Sequence, residues 1–322
     1  MSDRSITVVG AGIVGASIAY HAARAGAAVT LVDAGRPGGG VTANSFAWIG
    51  ASGVHRGPAA ALRSRAIDEY HRLEGELPDL PVTWSGSLTW GLTDAAPEAG
   101  PGQELVDAAA VARLEPNVRR PPEWAIWVPG DGAVDPVGVT GRLVEGARAH
   151  GAEVHSNMPV TAVPRDGTVV VLAAGVATAA LAAPLGVHVP VGPSPATLTR
   201  FSAPEGLVNT VVNTADFDLR QVAPDRLVAA ADSPERTLAA IRSTFRGAET
   251  VDLLGSRTAA RPMPVDGEPI VGPVAGVPGL YVAVLHSAIT LAPAVGRLVA
   301  RELLDGTAEP LLAGCRLDRF GG

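Results

Sequence analysis

Residues 8–17 read VVGAGIVGAS: three glycines on the G-x-G-x-x-G spacing directly behind a β-branched run. The residues from Ile6 to Val9 have strand character, residues 13–25 carry a helical pattern, and VTLVDAG at 29–35 reads as a second strand with Asp33 at its tip. Together they predict a βαβ unit. In such a unit Gly10 permits the tight turn, Gly12 lets backbone approach a pyrophosphate, and Gly15 lets helix and strand pack closely, while the helix N-terminus presents the positive end of its dipole. Asp33 is placed to accept hydrogen bonds from ribose hydroxyls, which argues against a 2′-phosphate. The motif specifies a dinucleotide and leaves FAD or NAD open.

Composition narrows the class. The 322 residues are 47% hydrophobic and 18% charged, enough for one large domain or two smaller ones. All 25 basic residues are arginine, so Schiff-base chemistry and a P-loop lysine are excluded. A net charge of −7, with no basic stripe, argues against nucleic acid as a partner. Cys315 is the only cysteine, which excludes an internal disulfide, and the seven histidines show no paired spacing, so no metal is expected. Residues 168–199 carry no Asp, Glu or Arg, but their glycines and prolines read as buried strand, short helix and loop instead of a span. The apolar run after Arg4 is broken by glycines, His21 and Arg24, unlike a signal peptide. A soluble cytoplasmic protein is expected.

Further segments carry a resemblance. After the βαβ unit come GRPGGGVTANSFAWIGAS (35–52), DGAVDPVGVTGRLVEGARAHGAEV (131–154), VVVLAAG (169–175), RPMPVDGEPIVG (261–272) and VLHSAITLAPAVGRLVARELL (284–304), and the chain ends near RLDRF. In this order they resemble the D-amino-acid oxidase and glycine/sarcosine oxidase family of FAD-dependent amine oxidoreductases. The pairing of the arginine–proline and DG motif with the histidine segment is the most specific part. The resemblance implies an α/β architecture of α+β two-domain type: a discontinuous Rossmann-like FAD-binding domain (1–77, 132–194 and 255–322) with a reduced antiparallel-sheet substrate domain inserted in pieces (78–131 and 195–254). Within this frame residues 58–77 have the spacing of one amphipathic helix, residues 81–93 alternate like a strand pair around Ser85 and Gly86, and residues 234–245 read as a helix.

The resemblance also implies site residues. FAD, held without a covalent bond, would be contacted by Gly10, Gly12, Ile13, Val14, Gly15, Asp33, Ala34, Val41, Thr42, Asn44, Ala47, Trp48, Val160, Ala174, Gly175, His286, Ser287, Ala288, Ile289 and Thr290. His286 lies where a strand meets a helix start, a junction that suits the electron-rich edge of a reduced flavin. Arg261 stands where amino-acid-oxidising relatives grip a substrate carboxylate, a task for a planar guanidinium with two parallel donors; an internal salt bridge to Asp266 is the competing reading. Cys315 lies beyond the segment that a covalent flavin link would precede. Tyr70, His71, His55 and Arg220 read as packing or surface residues, and no general acid or base is assigned.

The expected reaction is oxidation of a small amino acid or secondary amine, with hydride passing to flavin N5, electrons going on to O2 or another acceptor, and hydrolysis of the imine. Two alternatives stay open: a flavin-binding assembly or regulatory subunit without turnover, and an NAD-dependent dehydrogenase.

Overall fold

The computed structural model describes residues 5–50, 55–93, 95–165 and 167–321. One sheet has six strands in the order Ile270–Pro273, Leu280–Val284, Val169–Leu172, Ser5–Val9, Ala28–Val32, Glu153–His155. Neighbours run parallel except Ile270–Pro273, which is antiparallel to Leu280–Val284. Parallel strands covered on both faces need unbroken apolar runs, and VVVL and LYVAV supply them.

Helices Ile13–Arg24 and Ala288–Asp305 pack closely over this sheet because small residues meet where they cross. A Cβ on Gly296 would lie 2.1 Å from Ser17 Oγ, and Ser17 donates to the Ala292 carbonyl at 2.8 Å. A Cβ on Gly15 would lie 1.8 Å from the Gly10 carbonyl, and Gly10 itself has φ 105°. The first and third motif glycines are thus demanded by packing and backbone geometry.

The second sheet has eight strands in the order Asp252–Pro264, Val191–Ser202, Arg226–Ala230, Asp218–Ala223, Val211–Asn213, Ser87–Thr89, Trp124–Val128, Glu104–Asp107. Its pairs are antiparallel except Val211–Asn213 with Ser87–Thr89. Side chains alternate between its faces. Ala229, Leu219 and Val212, opposite one another in register, join Ile241 and Phe245 in a core under helix Pro234–Thr244. On the other face Arg200, Val228 and Arg220 form one cross-strand row, and Leu198, Ala230, Asp218, Asn213, Thr89 and Ile126 form the next.

That second face meets the six-stranded half through the first row. Arg220 donates to the Phe46 carbonyl at 2.7 Å and the Val134 carbonyl at 2.9 Å, and Arg200 donates to the Ala43 carbonyl at 3.2 Å. Three short strands, Trp48–Ile49, Gly132–Val134 and Val82–Thr83, form a small sheet at the junction.

Four expectations are corrected. Residues 58–77 form two helices, Ala60–Arg63 and Ala66–Glu76, because Ser64 Oγ turns back to the Ala61 carbonyl and competes with helix continuation. Val82–Thr83 and Ser87–Thr89 enter different sheets instead of pairing with each other; Gly86 is the point where backbone crosses the Trp127 ring, which a Cβ would approach to 1.9 Å. Residues 191–197 are strand despite Pro193 and Pro195, because only Asp252–Pro264 flanks that stretch and the missing N–H groups fall on the open edge. For the same reason the boundaries expected at 194/195 and 254/255 do not hold. Strands Val191–Ser202 and Asp252–Pro264 run through both and belong to the eight-stranded sheet along their whole length.

Replacing Gly296 with Ala should destabilise the fold, although alanine normally gains about 1 kcal/mol over glycine inside a helix. The collision with Ser17 is expected to cost about 1–3 kcal/mol, read as a lower urea midpoint with an unchanged m value. A raised midpoint would contradict the close helix crossing.

Candidate cofactor and substrate site

A cavity of about 1120 Å³ runs between the two sheets, and the two ends of the chain meet in it. Gly10, Gly12, Ile13, Val14, Asp33 and Ala34 line one end. Val41, Thr42, Asn44, Trp48, Val160, Ala174 and Gly175 line its middle, and Arg261 with His286, Ser287, Ala288, Ile289 and Thr290 lines the other end. Two expected contacts lie behind the wall. Gly15 is spent on packing against Gly10, and Ala47, at φ 60°, is buried with its carbonyl accepting from the Val134 N–H.

The first end suits a diphosphate. Gly12 is the cap of helix Ile13–Arg24 and has no side chain of its own to close it, and a Cβ there would meet only the Thr42 hydroxyl, at 3.3 Å. Thr42 Oγ1 accepts from the Ile13 N–H at 3.3 Å, and with no side chain on Gly12 the rest of the helix N-terminus stays open toward the cavity, the arrangement that anions require. Asp33 is aimed by two backbone donors, Ala11 N–H at 2.6 Å and Gly35 N–H at 2.7 Å. Each oxygen keeps a further lone pair for a ribose hydroxyl.

The opposite end is built by strand Leu280–Val284 running into helix Ala288–Asp305. The cap residue Ser287 has the left-handed conformation (φ 55°, ψ 47°), a strain of roughly 1–2 kcal/mol for a residue with a Cβ. Its side chain does not cap the helix, so the first-turn N–H groups face the cavity. Two bonds hold this turn in place: Thr290 Oγ1 to the Trp48 carbonyl at 3.3 Å, and the buried Tyr70 hydroxyl to the Ile289 carbonyl at 2.7 Å. Burial pushes the Tyr70 pKa well up, so the phenol stays a donor.

Burial, with help from the Arg261 and Arg63 charges, lowers the His286 pKa below the ordinary histidine value. Its imidazole is neutral at physiological pH. Arg261 donates to Ser194 Oγ at 3.0 Å, and its Nε is buried without a hydrogen-bond partner. Asp266, the competing partner, is taken by Arg319 at 2.8 Å. Among the described residues, Arg261 has no carboxylate.

Residues 5–302 match the FAD dependent oxidoreductase family. The chain belongs to that family. FAD is its cofactor, which removes the NAD alternative. Glycine oxidase of Bacillus licheniformis is 26% identical over 94% of this chain and 93% of its own length. A 4-methylaminobutanoate oxidase (formaldehyde-forming) of Paenarthrobacter nicotinovorans is 32% identical over 57% of this chain and 26% of its own length. Among solved structures, glycine oxidase from Geobacillus kaustophilus superposes with a TM-score of 0.87 at 21% identity, covering 99% of this chain and 100% of that one. Iminodiacetate oxidase from Chelativorans sp. BNC1 gives 0.81 at 23% identity, covering 97% and 98%.

With an anion cradle at Gly12 and an uncapped helix start at Ala288, the residues lining the oxidoreductase's cavity fit the groups that FAD would present. Cys315 is wholly buried, its thiol pKa pushed up to about 11 by burial, and it does not line the cavity. Among the described residues no group of His, Cys, Asp and Glu could hold a metal, and no helix is long and apolar enough to cross a membrane. His71 pairs with Glu74 at the surface, and Arg220 is a structural clamp.

Sequence reasoning missed Asp131 and Asp218, both in the cavity wall. Asp131 accepts from Trp48 Nε1 at 3.0 Å and Ser87 Oγ at 2.7 Å, joining the flavin-side loop to the eight-stranded sheet. Its position opening the DG stretch at 131 was a local hint. Asp218 has none, because only long-range register brings it to the wall.

Replacing Gly12 with Val should yield folded but colourless protein, seen as the loss of flavin absorbance at an unchanged circular dichroism spectrum. Stoichiometric flavin in that variant would remove Gly12 from the cradle. Cys315→Ala should stay yellow and release all its flavin on acid precipitation.

Proposed function

We propose that the enzyme oxidises a small amino acid or secondary amine, such as glycine, an N-substituted glycine or a D-amino acid, to an imine that water hydrolyses to the oxo acid. Arg261 carries this reading: a cavity-lining guanidinium with a buried, unpartnered Nε and no carboxylate among the described residues. A substrate carboxylate in the cavity would supply the missing counter-charge. FAD, when bound, supplies the acceptor for a hydride from the carbon next to nitrogen.

The chain's own contribution is positioning. Arg261 fixes the carboxylate and so the orientation of the reacting carbon. His286 is uncharged beside it and does not compete for that carboxylate. Leu198, Ala230 and Ile126 present apolar surface from the facing sheet. If the amine binds neutral, no residue has to take its proton before the hydride leaves. Relatives named as glycine, iminodiacetate and 4-methylaminobutanoate oxidases support this class of substrate.

Anaerobic addition of an amine panel should bleach the flavin absorbance with a small amino acid or N-alkyl glycine, and admission of O2 or an artificial acceptor should restore it. A flavin that no member bleaches would leave an assembly subunit as the reading. Arg261→Met should weaken carboxylate substrates by roughly 2 to 4 kcal/mol, a KM rise of at least about thirtyfold, with flavin content unchanged. An unchanged KM would retire Arg261 from carboxylate binding.

A further inference from the structure

The sheet face that carries Arg261 also carries, beyond two intervening strands, a charge that small neutral amino acids do not use. In the cross-strand row Leu198–Ala230–Asp218–Asn213–Thr89–Ile126, side chains share one face, and all but Asn213 line the cavity. Leu198, Ala230 and Ile126 are apolar, Asn213 and Thr89 are uncharged, and Asp218 is the one carboxylate of that row. Asn213 Nδ2 donates to its Oδ1, which fixes the carboxylate and leaves Oδ2 without a hydrogen bond among the described residues.

No cation answers it. The chain has no lysine, and neither Arg nor His pairs with Asp218 among the described residues. The arginines nearest in register, Arg200 and Arg220, are spent on backbone carbonyls in the adjoining row. Burial accordingly raises the Asp218 pKa, as expected of a carboxylate held away from water with no counter-charge. The cavity is therefore bipolar, with a guanidinium that has no carboxylate partner among the described residues and a carboxylate that has no cation, on strands separated by two others in the same sheet.

We infer that Asp218 is a specificity-determining residue that receives a cationic group on the substrate, so that the preferred substrate carries a carboxylate for Arg261 and a second, basic nitrogen for Asp218. Trp124, on the same face two residues from Ile126, and Trp90 also line the cavity. The inference rests on the amine-oxidising reading for the substrate's role, while the charge preference itself is a binding property.

The test uses the FAD-loaded protein and ligands that cannot be oxidised. Trimethylammonio-alkanoates of graded chain length have no nitrogen lone pair, and their tert-butyl isosteres have the same shape without the charge. Binding is read from perturbation of the flavin spectrum. At one chain length the cation should bind about tenfold or more tighter than its isostere, the range of a charge-assisted contact. Asp218→Asn should bring the ratio close to one while the flavin stays bound, and Arg261→Met should weaken both ligands alike. In the native protein the preference should fade as acid neutralises Asp218. Equal binding of the two ligands by the native protein, or a preference that survives Asp218→Asn, overturns the inference. A preserved preference in a protein whose flavin no amine bleaches would contradict the proposed reaction alone, which separates the two failures.

Discussion

The site exists because one face of the eight-stranded sheet is fastened to the backbone of the other half by arginine. Arg220 is only 9% exposed and spends its donors on the carbonyls of Phe46 and Val134, with its guanidinium 5.6 Å from the centre of the Phe46 ring. Burial lowers its pKa to about 10, still far above physiological pH, so the charge is retained inside the protein. Hydrogen bonds from a charged donor contribute roughly 1.5–3 kcal/mol each, and losing the acceptors would strand a desolvated cation. Arg200 repeats the bond at Ala43. Between them they hold the segment from Ala43 to Phe46 against the sheet, and the cavity lies in the next row along.

Alternation then does the rest. Once Arg220 points toward the flavin-binding half, Asp218 must point the same way, because the two are two residues apart on one strand. Leu219, between them, must face the opposite core, where it is fully buried. A one-residue slip would exchange these roles and bury both charges against helix Pro234–Thr244. Packing of that core therefore sets the register, and the register sets the chemistry of the cavity wall.

Much of the flavin-binding half was legible because its signals are local. The βαβ unit shows itself within thirty residues, and the strand before His286 and the helix after Ser287 are contiguous in sequence. The cavity joins Gly12 to His286 as the resemblance implied. Where reading failed, the deciding contact lay far along the chain. Pro193 and Pro195 look like loop residues until the open edge beside them is known. Gly86 looks like a hairpin turn until Trp127, forty-one positions on, occupies the space over it. Asp218 looks like any polar strand residue, since its pairing with Ala230 and Asn213 cannot be read from its neighbours.

The most direct test is a crystal structure of the yellow protein as purified. The account predicts the FAD diphosphate beside the Gly12 and Ile13 backbone, and the flavin ring between the Ser287–Ile289 turn and the sheet row that contains Asp218. A ring lying outside that gap, or a sheet that turns Leu219 in place of Asp218 toward it, would contradict the account.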